Sequence, residues 1–227
     1  MLDLETLFKN HFGSQLISDD KLRKFAEIQL ERLKANNGGG EFAQLISDTT
    51  TAYQLYAAAI TDESVKFAQQ QGLTIKVYKL LKDFKNFVAT KEGIIRAQFG
   101  KKGDAYQAFF PLGKNEYWQS NFKNVEMLMD RLIASADHYS AELGTDLKND
   151  LQTMLNDFKS AREAQLRKKG EVTNSKTAVS KRRKELEIQL LKNLHFIGFT
   201  YPGNVNRCND FFDQSFLRRK KKPGSRK

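Results

Sequence analysis

The three histidines come first, because imidazole serves both as a metal ligand and as a general acid or base. They are His11, His138 and His195. A di-iron site in a helical bundle needs Glu-x-x-His pairs on two helices. The residues three positions before the second and third histidines are Ser135 and Lys192, and neither supplies a carboxylate. The sequence therefore predicts no metal site and no cofactor.

Other signatures of catalysis are missing as well. The single cysteine, Cys208, has no partner for a disulfide and no evident base to activate its thiolate. The triple glycine 38–40 precedes Glu41 and Phe42 instead of the Lys-Ser/Thr pair of a phosphate-binding loop. The Gly-Lys-Lys-Gly loop at 100–103 could contact a phosphate, but we favour a solvated connection. We expect a protein that is not an enzyme, with no catalytic residue and no small-molecule substrate.

Positive charge is concentrated in two segments of a chain whose formal net charge is +11. Residues 162–184 contain nine basic and two acidic residues, and residues 218–227 contain seven basic residues and no acid. Nucleic-acid binding depends on local neutralisation of phosphates, so these segments are the candidate anion or nucleic-acid contacts. A solvated, highly charged surface is the alternative. The candidates are Arg162, Arg167, Lys168, Lys169, Lys176, Lys181, Arg182, Arg183, Lys184, Arg218, Arg219, Lys220, Lys221 and Lys222.

The elements that must position these residues are helices, since the spacing of apolar residues is helical throughout. We predict an all-α protein, an elongated antiparallel helical bundle with coiled-coil-like packing. A first helix is expected to begin at Ser18, whose side chain can cap it, and to end before the triple glycine. Long helices are predicted over about 41–70, 73–99, 121–169 and 172–198. We expect residues 121–169 to form one helix, with a break at Gly144 as the alternative.

Gly170 is predicted to be the turn between the last two long helices. Two antiparallel helices joined there would gather the cations of residues 162–184 at one tip of the bundle, and residues 145–198 could project as a helical hairpin. We expect a single helical-bundle domain over residues 1–217, followed by a disordered basic tail over residues 218–227.

One apolar stripe in the helix 41–70 has unusually regular spacing. It consists of Phe42, Ile46, Thr49, Tyr53, Tyr56, Ile60 and Phe67, with Glu63 as its only charged member. Tyr53 and Tyr56 would suit a self-association seam, because tyrosine is large and rigid and can form hydrogen bonds. Packing within the chain is the alternative that we favour.

Five stretches in the second half of the chain share a resemblance. They are Phe109-Phe110-Pro111 with Tyr117, then residues 124–131, 164–172, 190–194 and 211–219. Together, over about residues 105–219, they are similar to segments of uncharacterised all-helical proteins of bacteria. The resemblance implies a helical fold and a bacterial origin, and it implies no activity and no site residue.

The sequence also bears on localisation. No stretch approaches the roughly 18 consecutive apolar residues of a membrane span. Asp3 and Glu5 stand where a secretory signal needs basic residues. We therefore predict a cytoplasmic protein.

The predicted function is a structural or protein-interaction module, with a second copy of the chain or another protein as its partner. The alternative is a nucleic-acid-associated protein that binds phosphate non-specifically through the hairpin tip and the basic tail.

Overall fold

The computed structural model describes residues 5, 8–14 and 16–217, and in these residues the regular secondary structure is entirely helical. The prediction of an all-α helical bundle is confirmed. The predicted basic tail, residues 218–227, lies outside the described residues. The helices are α1 (Asp19–Ala35), α2 (Ala43–Phe99), α3 (Asp104–Phe109), α4 (Asn115–Trp118), α5 (Val125–His138), α6 (Ser140–Leu143), α7 (Asp146–Thr200) and α8 (Val205–Asn209), followed by a 3-10 turn, Gln214–Phe216.

The first helix begins and ends where the sequence predicts. The Ser18 side chain caps α1 by accepting a hydrogen bond from the backbone N–H of Lys21, at 3.4 Å. Asp19 and Asp20 place negative charge in the first turn, where the helix dipole favours it. At the other end, the Asn36 side-chain amide donates to the Arg32 carbonyl at 2.8 Å. Local capping chemistry therefore fixes both ends of α1.

The chain forms two compact units, although the sequence predicted a single domain over residues 1–217. Unit 1 combines the described residues up to Val65 with the described residues from Thr173 onward, and unit 2 consists of Lys66–Val172. Both α2 and α7 continue through the division without a break. No linker composition marks the boundary, because it falls inside two helices.

Unit 1 is built from α1, the first part of α2 and the last part of α7. On α7, Ser175 donates to Asp62 of α2 at 2.8 Å, and Asn193 donates to Thr49 of α2 at 2.8 Å. Residue numbers rise along one helix as they fall along the other, so α2 and α7 are antiparallel here. The core includes Leu22, Phe25, Leu33, Phe42, Tyr56, Leu186, Leu190, Ile197, Phe211 and Phe212.

Unit 2 packs α3 to α6 against the second part of α2 and the first part of α7. Aromatic residues of the irregular stretch 100–119 are buried here, as their number suggested. Tyr117 donates to the Phe109 carbonyl at 2.6 Å, and Arg131 of α5 forms a paired contact with Glu116. The core includes Val77, Leu81, Phe84, Val88, Tyr106, Phe109, Phe110, Leu128, Met129, Leu151, Leu155 and Phe158.

Two predicted helix ends are wrong, because α2 passes through Gly72 and α7 passes through Gly170. The predicted helices 41–70 and 73–99 are therefore one helix, and no hairpin forms over residues 145–198. A helical glycine costs only about 1 kcal/mol relative to alanine. Contacts on either side offset this cost: Lys168 and Glu171 form an ion pair across Gly170 at 2.5 Å, and Val172 is buried.

Over residues 121–169 the favoured single helix is wrong, and the alternative, a break at Gly144, is confirmed. The chain turns at Gly144, which has φ of 74°, a left-handed conformation that favours glycine. The apolar stripe keeps its phase through this turn because Leu143 and Leu147 pack on the same core. Continuity of the stripe therefore did not require continuity of the helix.

No described helix combines the length and the hydropathy that a bilayer crossing needs.

Candidate functional site

The cations predicted to gather at a hairpin tip lie instead along the middle of α7. Because that helix is continuous through Gly170, the nine basic residues of 162–184 point in several directions around its axis. Residues 162–169 belong to unit 2, and residues 176–184 belong to unit 1. The described residues of this segment therefore do not form a basic tip.

Most of these cations contact other groups of their own unit. In unit 2, Arg162 lies over the ring of Phe122, 5.0 Å from its centroid, and donates to Gln165. Arg167 lies 3.8 Å from Glu163, and Lys168 is paired with Glu171. Lys169 is exposed.

In unit 1, Arg183 is half-buried. It donates to Asp19 at 2.5 Å, to the Ile17 carbonyl at 2.6 Å and to Glu187 at 2.8 Å. Arg182 is paired with Glu185 at 2.8 Å. The remaining predicted contacts of this unit, Lys176, Lys181 and Lys184, are exposed. Arg183 therefore connects α7 to α1, which is a structural role.

The other predicted cations, Arg218, Arg219, Lys220, Lys221 and Lys222, lie outside the described residues.

Tyr56 does not form an exposed seam. Its side chain is fully buried in unit 1, where its hydroxyl donates to Asp19 at 2.6 Å. Burial raises the pKa of Tyr56 well above its ordinary value, and the hydrogen bond to Asp19 raises it further. Tyr53 is half-buried against the same core. Tyr53 and Tyr56 thus pack against α1 and α7, in agreement with the favoured alternative of packing within the chain, and Tyr56 is not available to a self-association seam.

The residues that were considered for metal or thiol chemistry stand apart from one another. His11, His138 and His195 are exposed, and the part of the chain that the structure describes has no cluster of three or more metal-ligating side chains. Cys208 is half-buried, with its sulfur 3.7 Å from the Tyr201 carbonyl oxygen.

Unit 1 has an open groove between α2 and α7, with a volume of about 420 Å³. Its floor contains Ala52, Leu55 and Ile188, and Leu55 and Ile188 are exposed. Its rim carries charges of both signs. The lining residues are Asp48, Thr51, Ala52, Leu55, Glu185, Ile188, Gln189 and Lys192.

The side of α7 that lines the groove carries Ile188, Lys192, His195 and Phe199 at helical spacing, so two exposed apolar residues flank two polar ones. Ile188 is 50% exposed, and Phe199, eleven residues later, is 83% exposed. Eleven residues are slightly more than three full turns, so both side chains lie on the same side of the helix. Sequence analysis missed this face. The available signal was an apolar residue outside the core stripe at Ile188, followed at helical spacing by Phe199.

Comparison of the sequence with protein-family models and with curated proteins, and of the fold with solved structures, gives no match. The bacterial origin implied by the resemblance over residues 105–219 stays a prediction.

Proposed function

We propose that the protein is a non-enzymatic helical-bundle interaction module that self-associates through the α2–α7 groove of unit 1. The observation that carries this proposal is the exposed Ile188 in the floor of the groove, flanked along α7 by Glu185 and Lys192. An exposed apolar floor with a polar rim is typical of protein–protein contact surfaces.

The charges favour a second copy of the chain as the occupant. Glu185 and Lys192 are seven residues apart, two turns of helix, with Ile188 between them. A two-fold axis beside Ile188 would lay α7 antiparallel on α7 of the second copy. Glu185 of each chain would then be level with Lys192 of the other, so the same surface is complementary to itself.

The same pairing accounts for the exposed aromatic side chain further along α7. Phe199 would lie level with Ala178 of the second copy, an exposed residue small enough to admit a phenyl ring. The contact would extend over about 30 Å of helix, the length of 20 residues. That length gives the exposed side chains of Ile188 and Phe199 a partner surface on the second copy.

Sedimentation velocity over a range of concentrations tests the proposal, and we expect a dimer. Burying one isoleucine contributes about 1.5–3 kcal/mol, and a two-fold contact contains Ile188 twice. Ile188→Asp should therefore weaken dimerisation by at least about 100-fold. Ile75→Asp is the matched control, because Ile75 is an exposed isoleucine of unit 2.

A charge exchange tests the orientation of the two copies. Lys192→Glu alone would set two pairs of carboxylates against each other and should weaken the dimer. Adding Glu185→Lys restores opposite charges and should recover most of the lost affinity. A chain that is monomeric at every concentration, or a dimer that Ile188→Asp weakens no more than Ile75→Asp, would refute the proposal.

A further inference from the structure

Unit 2 contains a polar pocket of about 400 Å³ between the end of α2 and the loops around α3 and α4. Three cations line it, and Glu92 is the only acid in its lining. The lining consists of Glu92, Arg96, Lys101, Tyr106, Gln107, Phe110, Leu112, Gly113, Lys114 and Asn115. The pocket therefore has a formal charge of +2.

Two of the cations have no acid to neutralise them. Within the described residues, Lys101 and Lys114 form no ion pair with any carboxylate, and both side chains are exposed. Arg96 is in contact with an acid, but its Nε lies 3.9 Å from Glu92 Oε1, too far for a hydrogen bond. The donors of all three side chains remain available to a ligand.

The acid in the pocket has a positioning role. Glu92 is only 6% exposed, and a buried carboxylate is costly unless other groups compensate it. Tyr106 donates to Glu92 Oε1 at 2.8 Å, and Arg96 Nε lies 3.9 Å from the same oxygen. Burial raises the pKa of Tyr106, and the hydrogen bond to Glu92 raises it further, so the phenol keeps the proton that it donates. Glu92 thus fixes the Tyr106 hydroxyl at the pocket and lies beside Arg96.

Glycines shape the two loops that bring the lysines to the rim. Gly100 and Gly113 have φ of 69° and 76°, which are strained for other residues. A Cβ atom on Gly103 would lie 2.4 Å from the Phe99 carbonyl oxygen. The loop conformations that place Lys101 and Lys114 beside Arg96 therefore depend on these glycines.

We infer that this pocket binds a small phosphate compound with at least two negative charges, held by Arg96, Lys101 and Lys114. Arginine presents a planar fork of donors that matches phosphate oxygens, and lysine adds compact point charges. Gln107 and Asn115 offer further hydrogen-bonding groups, and Leu112 supplies an apolar wall for an attached organic group. The inference is independent of the self-association proposed above, because every lining residue belongs to unit 2.

Calorimetric titration of the full chain at low salt tests the inference, with inorganic pyrophosphate and ADP as separate probes. Binding of pyrophosphate alone identifies phosphate groups as sufficient, and tighter binding of ADP identifies an organic phosphate; either result supports the pocket. Each charge-assisted hydrogen bond that is lost should weaken binding about tenfold. The double variant Lys101→Gln/Lys114→Gln should therefore bind about 100-fold more weakly.

Lys102→Gln is the matched control, since Lys102 lies in the same loop but does not line the pocket. It removes the same charge from the same segment and should leave affinity nearly unchanged. Failure of both probes to bind would overturn the inference. So would a double variant that binds as tightly as Lys102→Gln, because binding would then reflect overall positive charge. Circular dichroism of each variant confirms that the helical fold is retained.

Discussion

Replacing Asn193 by alanine should destabilise unit 1 strongly, because the side-chain amide of Asn193 is hydrogen-bonded inside its core. Asn193 is fully buried and joins three helices. Its amide donates to Gln29 of α1 at 3.0 Å and to Thr49 of α2 at 2.8 Å, and its oxygen accepts from Gln189 of α7 at 3.0 Å. The substitution removes all three hydrogen bonds and leaves their partners buried.

The size of the expected destabilisation follows from the number of hydrogen bonds that the substitution removes. Each contributes about 0.5–1.5 kcal/mol net, so Asn193→Ala should lower the free energy of unfolding by about 3 kcal/mol. In a protein of this length that corresponds to a fall in Tm of about 6–12 °C. Asn156→Ala is the matched control. Asn156 also accepts from a glutamine four residues earlier on α7, Gln152, at 3.1 Å, but it is exposed. Its loss should change stability by no more than about 0.5 kcal/mol.

Thermal unfolding followed by circular dichroism measures both variants. A double-mutant cycle with Thr49→Val then separates the hydrogen bond from the packing of the side chain. In the Asn193→Ala background, Thr49→Val should lower the free energy of unfolding by less than it does in the wild type, because the amide that donates to the Thr49 hydroxyl is already absent. Strict additivity of the two substitutions, or equal Tm values for Asn193→Ala and Asn156→Ala, would refute the reasoning.

Three further predictions concern two glycines of the backbone and the pH dependence that Tyr56 contributes. Gly170→Ala should stabilise the protein by about 1 kcal/mol, since the helix is continuous there and an added Cβ meets no atom within 4 Å. Gly144→Ala should destabilise it by about 1–2 kcal/mol because of the left-handed backbone; chemical denaturation measures both, and a destabilising Gly170→Ala would contradict a helix through that position. The raised pKa of Tyr56 predicts a contribution to stability that is complete below about pH 10, the ordinary tyrosine pKa, and is lost as pH rises towards the native pKa. Tyr56→Phe should therefore show a shallower loss of stability on titration above pH 10, and an unchanged slope would refute the assignment.

The glycines show how far the helices could be predicted from the sequence. The period of the apolar residues was sufficient for the fold class, and Ser18 was sufficient for the start of α1. Gly144 and Gly170 could not be distinguished by the phase of the apolar stripe, because that phase continues through both. The better signal was the residue chemistry after each glycine. Gly144 is followed by the capping residues Thr145 and Asp146, whereas Gly170 is bridged by an i, i+3 ion pair.

The sequence suggested that a face of a long helix could serve association, but it did not identify which face the fold leaves exposed. Sequence analysis placed a seam on the stripe of Tyr56, and the structure leaves exposed a neighbouring face that includes Leu55 and Ile188. Which of two adjoining stripes is covered depends on α1 and on residues 211–212, which are distant from α2 in sequence. Helical spacing identifies the faces of one helix but not the segment that packs on each of them.

The density of basic residues along the sequence differs from the positive charge that the fold leaves unpaired. In the densest helical segment, several cations have acids three or four residues away on the same helix, as Lys168 has Glu171 and Arg182 has Glu185. Such pairs neutralise one another locally whatever the total charge of the segment. The cations around the unit 2 pocket come from the end of one helix and two separate loops, and the sequence indicated only one of them, Lys101, through the Gly-Lys-Lys-Gly loop at 100–103. Lys101 and Lys114 meet at one concave surface only through the fold, and concavity lets several donors act on one ligand at once.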